Sequence, residues 1–494
     1  MNYKLRSLVA ATITGSLMLG LAQHASADST TDIVNALITK GVLTEEEGAL
    51  LTKGRDNEID SQKKKEKKQW SNKLSIRGYL QTRNTAMVGG DDVGVNLFSD
   101  RSVGNDRSLG DQDKSFLIRR ARVVISGDVG ERLGIYIQPD FASSATGGNN
   151  LGQLRDFYGD FYLTKDKVHR LRVGQSKVPF GFENLQSSQN RLALDRADAL
   201  NSAVKDERDL GVFYYYTPET TQAMFKEIME LGLKHTGNYG QFALGAYNGQ
   251  GANQREVNDN YHIVARYTQP WKTETGQFFE AGIQAYRGDY VPVTQGAYRN
   301  NVGRTLTGGN GGTAAALGCG TTATTTNFAT CTPRLAERNG FDDERIGVSF
   351  MMYPQPFGLQ GEWNWGKTPG LDMATNTIKQ ESLNGGYLQA MYKIDNFKFL
   401  DTNGTLIPFV KWQYFDGYSK AESNAAQNRV NDWEIGAEWQ IAPEVEFVAY
   451  YHRMKRSNLV VGAANAANLA NGGPTSDYET FSADAIRMQL QFNY

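Results

Sequence analysis

The chain has 494 residues, and its 52 Lys and Arg nearly balance 54 Asp and Glu, for a formal net charge of -2. That balance leaves no basic footprint for nucleic acid, two Cys are too few for a disulfide scaffold or a multi-Cys zinc site, and 11% aromatic residues argue against disorder over most of the length. Hydrophobic content is only 40% although Gly (52), Tyr (24) and Phe (23) are abundant, so apolar surface must be present but diluted.

Lys4 and Arg6 precede an apolar stretch from Leu8 to Ala22, and Ala25-Ser26-Ala27 gives the small-x-small pattern. Residues 1–27 therefore read as a secretory signal cleaved after Ala27. The apolar stretch is shorter than the ~20 residues of a spanning helix, and no run of about 18 apolar residues follows. An exported chain of this kind is either soluble or a β-barrel, since only helices and closed barrels satisfy their backbone in lipid. Residues 28–69 read as a periplasmic helical hairpin and linker. Ile33, Val34, Leu37 and Ile38 form one apolar stripe before Gly41, and Thr44 with Glu47 fits a capping box ahead of Ala49, Leu50 and Leu51. Lys63, Lys64, Lys65, Lys67 and Lys68 around Glu66 make a solvated linker; contact with anionic lipid or a partner is the sharper alternative.

From Trp70 the period changes to two. Ile486, Met488, Leu490, Phe492 and Tyr494 alternate with Arg487, Gln489, Gln491 and Asn493. Trp433, Ile435, Ala437, Trp439 and Ile441 oppose Glu434, Gly436, Glu438 and Gln440. Residues at i and i+2 share a strand face. Charged residues in mid-strand, opposite an apolar face and repeated strand after strand, fit lipid outside and water inside. Trp271, Phe278, Trp363, Trp365, Trp412 and Tyr414 suit interfacial aromatic girdles. Long connections at 88–113, 142–152, 177–208, 289–341 and 458–480 alternate with short turns. Seventeen candidate strands start near residues 73, 115, 132, 154, 168, 209, 225, 239, 259, 278, 344, 357, 383, 405, 430, 445 and 482. Bacterial single-chain barrels have even numbers. The weakest strand is Phe225–Gly237, where Lys226, Glu227 and Glu230 break the alternation, and Met224–Leu231 fits a short helix in a periplasmic turn. The reading is an all-β fold: a transmembrane antiparallel barrel of 16 strands (alternative 18) over 70–494, with a short N-terminal helical segment. Sixteen strands leave an aqueous channel.

Phe116–Asp128 (FLIRRARVVISGD), Leu171–Phe182 (LRVGQSKVPFGF) and Arg208–Gly211 (RDLG) resemble the phosphate-selective porin O and P family. The strand Tyr239–Gly249 ending in YNG and the preface KGVLTEEEG also recur in that group. The resemblance spans roughly residues 30–494 and is most specific over 114–211. It implies a trimeric sixteen-stranded channel in the outer membrane of a Gram-negative bacterium, with an inward third loop and with Arg and Lys guiding anions. Lys177–Arg208 fits that loop. Arg119 and Arg120 match the arginine pair of the second strand. By alternation Arg120 and Arg122 face the lumen with Ser126 and Asp128, whereas Arg119 needs a bulge or a place above the lipid. Arg77, Arg83 and Arg172 also project inward by parity, and Lys177, Arg191, Arg196, Lys205 and Arg208 complete the anion-pathway candidates. Inward acids include Asp156, Asp160, Glu280, Glu362, Glu434 and Glu438. The loop region 178–209 itself sets Arg191, Arg196, Lys205 and Arg208 against Glu183, Asp195, Asp198, Asp206, Glu207 and Asp209. A strongly anion-selective filter is a ring of Arg or Lys, so the residues support a porin more firmly than phosphate selectivity.

Three further patterns lead elsewhere or nowhere. Gly361–Thr368 matches G-x-x-x-x-G-K-[ST], but Trp363 and Trp365 alternate where a flexible phosphate cradle is required, so the match is a coincidence. Cys319 and Cys331, in an oxidising compartment, read as one disulfide closing a surface loop. His169, His235, His262 and His452 make no zinc pair, and neither H-E-x-x-H nor G-x-S-x-G occurs. The expected function is passive diffusion of small anions, phosphate or polyphosphate being the family-implied solute, with no cofactor, no metal and no catalysis. The expected partners are outer-membrane lipid and lipopolysaccharide, small inorganic anions and two further copies in a homotrimer, with no nucleic acid. A weakly selective porin, or a barrel enzyme or adhesin without an open pore, are the alternatives.

Overall fold

The computed structural model describes residues 34, 37–50, 53, 74–90, 114–142, 152–294, 334–335, 339–372, 377–399, 401–422, 425–461 and 476–494. The signal segment, the lysine-rich linker and Cys319–Cys331 lie outside the described residues. Contacts divide the chain into residues 1–73 and 74–494. In the first unit, residues 45–50 are helical. The capping box forms: the Thr44 amide donates to Glu47 Oε2 at 3.0 Å, and the Glu47 amide donates to Thr44 Oγ1 at 3.2 Å.

The second unit is a closed antiparallel barrel of sixteen strands. They are β1 (Leu74–Gly90), β2 (Lys114–Asp128), β3 (Leu133–Asp140), β4 (Gln153–Tyr162), β5 (His169–Lys177), β6 (Arg208–Tyr216), β7 (Phe242–Tyr247) and β8 (His262–Lys272). There follow β9 (Phe278–Tyr290), β10 (Phe341–Met352), β11 (Phe357–Asp372), β12 (Thr377–Tyr392, continued by Ile394–Phe399), β13 (Thr402–Tyr418), β14 (Gln427–Ala442), β15 (Val445–Val461) and β16 (Ser476–Asn493). Each strand pairs with the next, and β1 pairs with both β2 and β16, so no edge is left open. Closure leaves every strand with two hydrogen-bonded neighbours, which is what a strand in lipid requires. The last residue takes part: the Gly78 amide donates to the Tyr494 carbonyl at 2.7 Å, and Tyr494 Oη donates to the Arg122 carbonyl at 3.0 Å. Gly78 is glycine by necessity, since a Cβ there would lie 2.2 Å from the Arg122 carbonyl oxygen and 2.7 Å from the Tyr494 ring.

The alternation sorts side chains as expected. On β14, Ile435 is 54% exposed on the outside while its neighbour Glu434 is 2% exposed within. Trp363, Trp412 and Tyr414 form a stacked outer cluster with ring centroids 6.0–6.4 Å apart. Phe278 is a correction. It shares the parity of Glu280, faces inward and is fully buried; its neighbour Phe279 stacks on Trp271 at 5.3 Å instead.

The connections fall into two sets. Short turns join β2–β3, β4–β5, β8–β9, β10–β11 and β14–β15 at the end where the chain enters and leaves the barrel. In outer-membrane barrels that end faces the periplasm. The doubtful strand at 225 is a helix, Glu219–Glu230, in the turn between β6 and β7. Its buried residues Thr221, Phe225 and Ile228 recur at helical spacing. Phe225 and Ile228, with Leu233, pack on the inward side chains Phe278, Met351, Tyr353 and Phe409, filling part of that mouth. Gly361–Thr368 lies within β11, so it forms no phosphate loop.

Ile435→Arg, at the middle of β14 on the outer face, should destabilise the folded barrel by about 2–4 kcal/mol. Urea titration in lipid vesicles measures this; a loss below ~1 kcal/mol would place Ile435 away from the hydrocarbon.

Candidate functional site

The 30 residues between β5 and β6 (178–207) do not leave the barrel. They fold back inside as two four-residue helices, α1 (Phe182–Leu185) and α2 (Asp198–Asn201), followed by a 3₁₀ turn at Lys205–Glu207. Gly181, at φ 83°, takes a left-handed conformation and turns the chain after Pro179 and Phe180. Val178, Phe180, Ala199, Leu200 and Val204 are buried against inward residues of β6–β9 and β12–β14, including Phe213, Tyr247, Tyr286 and Phe415.

Charge fixes the segment to the wall. Asp195 receives Arg83 of β1 at 3.0 Å, Arg487 of β16 at 2.6 Å and Arg119 of β2 at 3.8 Å. Glu183 pairs with Lys411 of β13 at 2.5 Å, and Asp198 with Arg456 of β15 at 3.1 Å. The amides of Phe182 and Glu183 donate to Glu362 of β11, both at 2.6 Å. Arg345 of β10 donates to the Ala199 carbonyl at 3.0 Å. Glu207 lies among Arg191 at 3.4 Å, Arg196 at 3.0 Å and Arg208. Burial alone would raise the Glu207 carboxyl; Arg196, Lys177, Arg208 and Arg191 together hold it well below the ordinary carboxylate range.

Arg119 reaches the interior through a bulge. The β1–β2 register jumps from Gln81↔Arg120 to Thr82↔Ile118, leaving Arg119 as the extra residue. Arg119 and Arg120 are consequently both about 1% exposed and inward. A second jump, from Gln138↔Asp156 to Pro139↔Leu154, does the same for Arg155 on β4, which donates to the Asp206 carbonyl at 2.7 Å.

A cavity of about 480 Å³ remains on the short-turn side of the loop, between its residues 185–190, the inner wall of β1–β5 and the segment 235–239. Among the described residues its lining carries Arg77, Arg122, Arg170, Arg172, Lys177 and Arg208, against Asp156 and Asp160. Arg122 is held by Asp140 at 2.6 Å, Arg172 by Asp160 at 2.8 Å and Arg208 by Asp156 at 2.9 Å. Lys177 Nζ donates to the carbonyls of Leu185 at 3.2 Å and Gln186 at 2.8 Å. Gly174, at φ 128°, sits beside Arg172, and a Cβ there would lie 2.3 Å from the Phe157 carbonyl. The helix that follows β6 is α3 (Glu219–Glu230), and the chain beyond it borders the cavity from below. Lys234 pairs with Glu438 of β14, and Gln186 and Asn190 donate to the carbonyls of Lys234 at 3.2 Å and His235 at 3.4 Å. Burial, then the nearby Lys234, push the His235 imidazole down to about 4, so it is neutral at neutral pH.

The sequence candidates thus divide. Arg77, Arg122, Arg172, Lys177 and Arg208 come together around the cavity. Arg83 and Arg119 tether Asp195, and Arg120 donates to Gln81 at 3.0 Å. Arg191 and Arg196 hold Glu207 within the loop. Lys205 stands apart, beside Asp198, Asp206 and Glu422. Arg170 was missed although it shares the parity of Arg172; Arg155 carried no parity signal.

A family model described as phosphate-selective porin O and P matches residues 93–494. A search of curated proteins finds no match. Among solved structures the chain is similar to the outer-membrane channel DcaP of Acinetobacter baumannii (15% identity, 85% of this chain and 97% of that one, TM-score 0.46). It is also similar to OmpT of Vibrio cholerae (11% identity, 85% and 97%, TM-score 0.43) and to an anion-selective porin from Comamonas acidovorans (11% identity, 85% and 99%, TM-score 0.43). At those scores the three likenesses carry no argument beyond the family match, which covers well over half of the sequence. The chain belongs to the phosphate-selective porin O and P family, and is an outer-membrane porin rather than an enzyme.

Proposed function

We propose that the porin favours anions, and that solutes cross it between the loop 178–207 and the β1–β5 wall. The carrying observation is the cavity lining, six basic side chains against two acids. The loop's own carboxylates Glu183, Asp195, Asp198 and Glu207 are engaged by Lys and Arg and do not oppose an entering anion. Phosphate, the solute in the family's description, suits guanidinium donors. In this reading Arg77, Arg122, Arg172, Lys177 and Arg208 face the solute, while Arg83, Arg119, Arg120, Arg191 and Arg196 hold the constriction in place. The protein assembles as a homotrimer in lipid and lipopolysaccharide, following the family resemblance, and reaches the outer membrane after removal of residues 1–27. A weakly selective pore is the second reading, favoured by Asp140, Asp156 and Asp160 standing beside the same arginines.

A salt gradient across a planar bilayer holding the purified channel should give an anion-favouring reversal potential; a cation-favouring one rejects the proposal. Arg77→Glu, at an exposed position on the cavity, should move that potential towards zero, whereas Lys205→Glu, away from the cavity, should move it less.

Asp195→Ala leaves Arg83, Arg119 and Arg487 facing one another without their shared carboxylate. Breaking a buried pair in this way costs about 3–5 kcal/mol, so the loop should loosen. Single-channel recordings are expected to show larger conductance and more open-state noise. Unchanged steps would mean that the loop does not set the pore's width.

A further inference from the structure

The cavity carries a second chemistry beside its charge. Tyrosines of β1, β3, β4 and the segment before β7 are interleaved with guanidinium groups along its wall. The Arg122 guanidinium lies 5.7 Å from the Tyr79 ring centroid. Tyr136 and Tyr158 stack at 5.1 Å with planes 4° apart. Arg172 lies 3.7 Å from the Tyr158 ring and 5.5 Å from that of Tyr239. Tyr136, Tyr158 and Tyr239 all line the cavity and remain only half-buried.

An inorganic anion gains from N–H donors and charge, but has no use for ring surface. Half-buried aromatic side chains beside fixed cations suit a flat ring that carries a negative group, because aromatic pairs stack offset or meet edge to face. Cations for that group are present: Arg77 is exposed and Arg170 half-buried on the cavity, beside the buried guanidinium groups of Arg122 and Arg172. Size points the same way. The cavity measures about 480 Å³, within the roughly 300–1,000 Å³ of pockets that hold organic ligands. A phosphate ion displaces only a few waters, each about 30 Å³.

We propose that this cavity is a binding site on the permeation path for small aromatic anions, a ring bearing a carboxylate or a phosphate. The proposal rests on the anion-preferring reading and adds the ring to it.

The test compares three probes on the channel in planar bilayers: phenyl phosphate, methyl phosphate with the same charged head and no ring, and benzyl alcohol with the ring and no charge. Phenyl phosphate should reduce the chloride current at about one tenth of the concentration that methyl phosphate needs, equivalent to about 1.4 kcal/mol, and benzyl alcohol should not reduce it. Tyr136→Leu combined with Tyr239→Leu should bring the ratio of the two phosphates close to one. Tyr239→Leu alone, outside the strands, should lower the ratio if the double variant fails to fold. Equal block by the two phosphates in an anion-favouring channel overturns this proposal alone, as does block by benzyl alcohol equal to that by phenyl phosphate. A cation-favouring reversal potential in the same bilayer overturns the anion reading with it.

Discussion

A thirty-residue segment inside a barrel has no strand neighbour to hold it, and here opposite charges do that work. Asp195 gathers arginines from β1, β2 and β16, Glu183 takes a lysine from β13, and Asp198 takes an arginine from β15. Each pair is largely withdrawn from water, so losing one partner strands the other and costs far more than a surface pair would. The geometry of the lumen follows from this set. The loop is tied to β1 and β2 as well as to β10–β16, and the open space on its short-turn side lies against β1–β5, where Arg122, Arg172 and Arg208 line it.

The same pairing explains how a nearly neutral chain builds a basic passage. Counted along the sequence, the loop's acids outnumber its bases. In space Glu183, Asp195 and Asp198 pair with cations of the wall and Glu207 with Arg191, Arg196 and Arg208, while six basic side chains against two acids line one arc. Net charge describes the whole surface of a protein and says little about a lumen whose charges are sorted by pairing.

Much of this was legible in the residues. Alternation at period two identifies the wall, as on β14, because only two faces exist and each meets a different solvent. The helix at Glu219–Glu230 was readable as a failed strand, since Lys226, Glu227 and Glu230 cannot share a lipid face. The inward loop and the Arg119–Arg120 pair came from the family resemblance. What stayed hidden was set by contacts between distant residues. The partners of Asp195 and Asp198 lie on strands remote in sequence, from Arg83 to Arg487, and nothing near Lys205 says that it points away from the cavity. Phe278 looked like a girdle residue because an aromatic at a strand end has two possible faces, and only its register with Glu280 decides between them.

The bulge at Arg119 has a consequence for how this wall tolerates change in length. On either side of it the in–out order is intact: Phe116 and Ile118 face outward, and Arg120 and Arg122 face inward. Arg119 is therefore a supernumerary residue, and β2 could lose it without inverting either half. Elsewhere on the regular strands, losing or gaining one residue would exchange the wet and oily faces of everything beyond it. Loss of a single residue from the wall is thus survivable at this bulge and ruinous at its neighbours, so the arginine pair is a place where this barrel's strands can be shortened by a single codon.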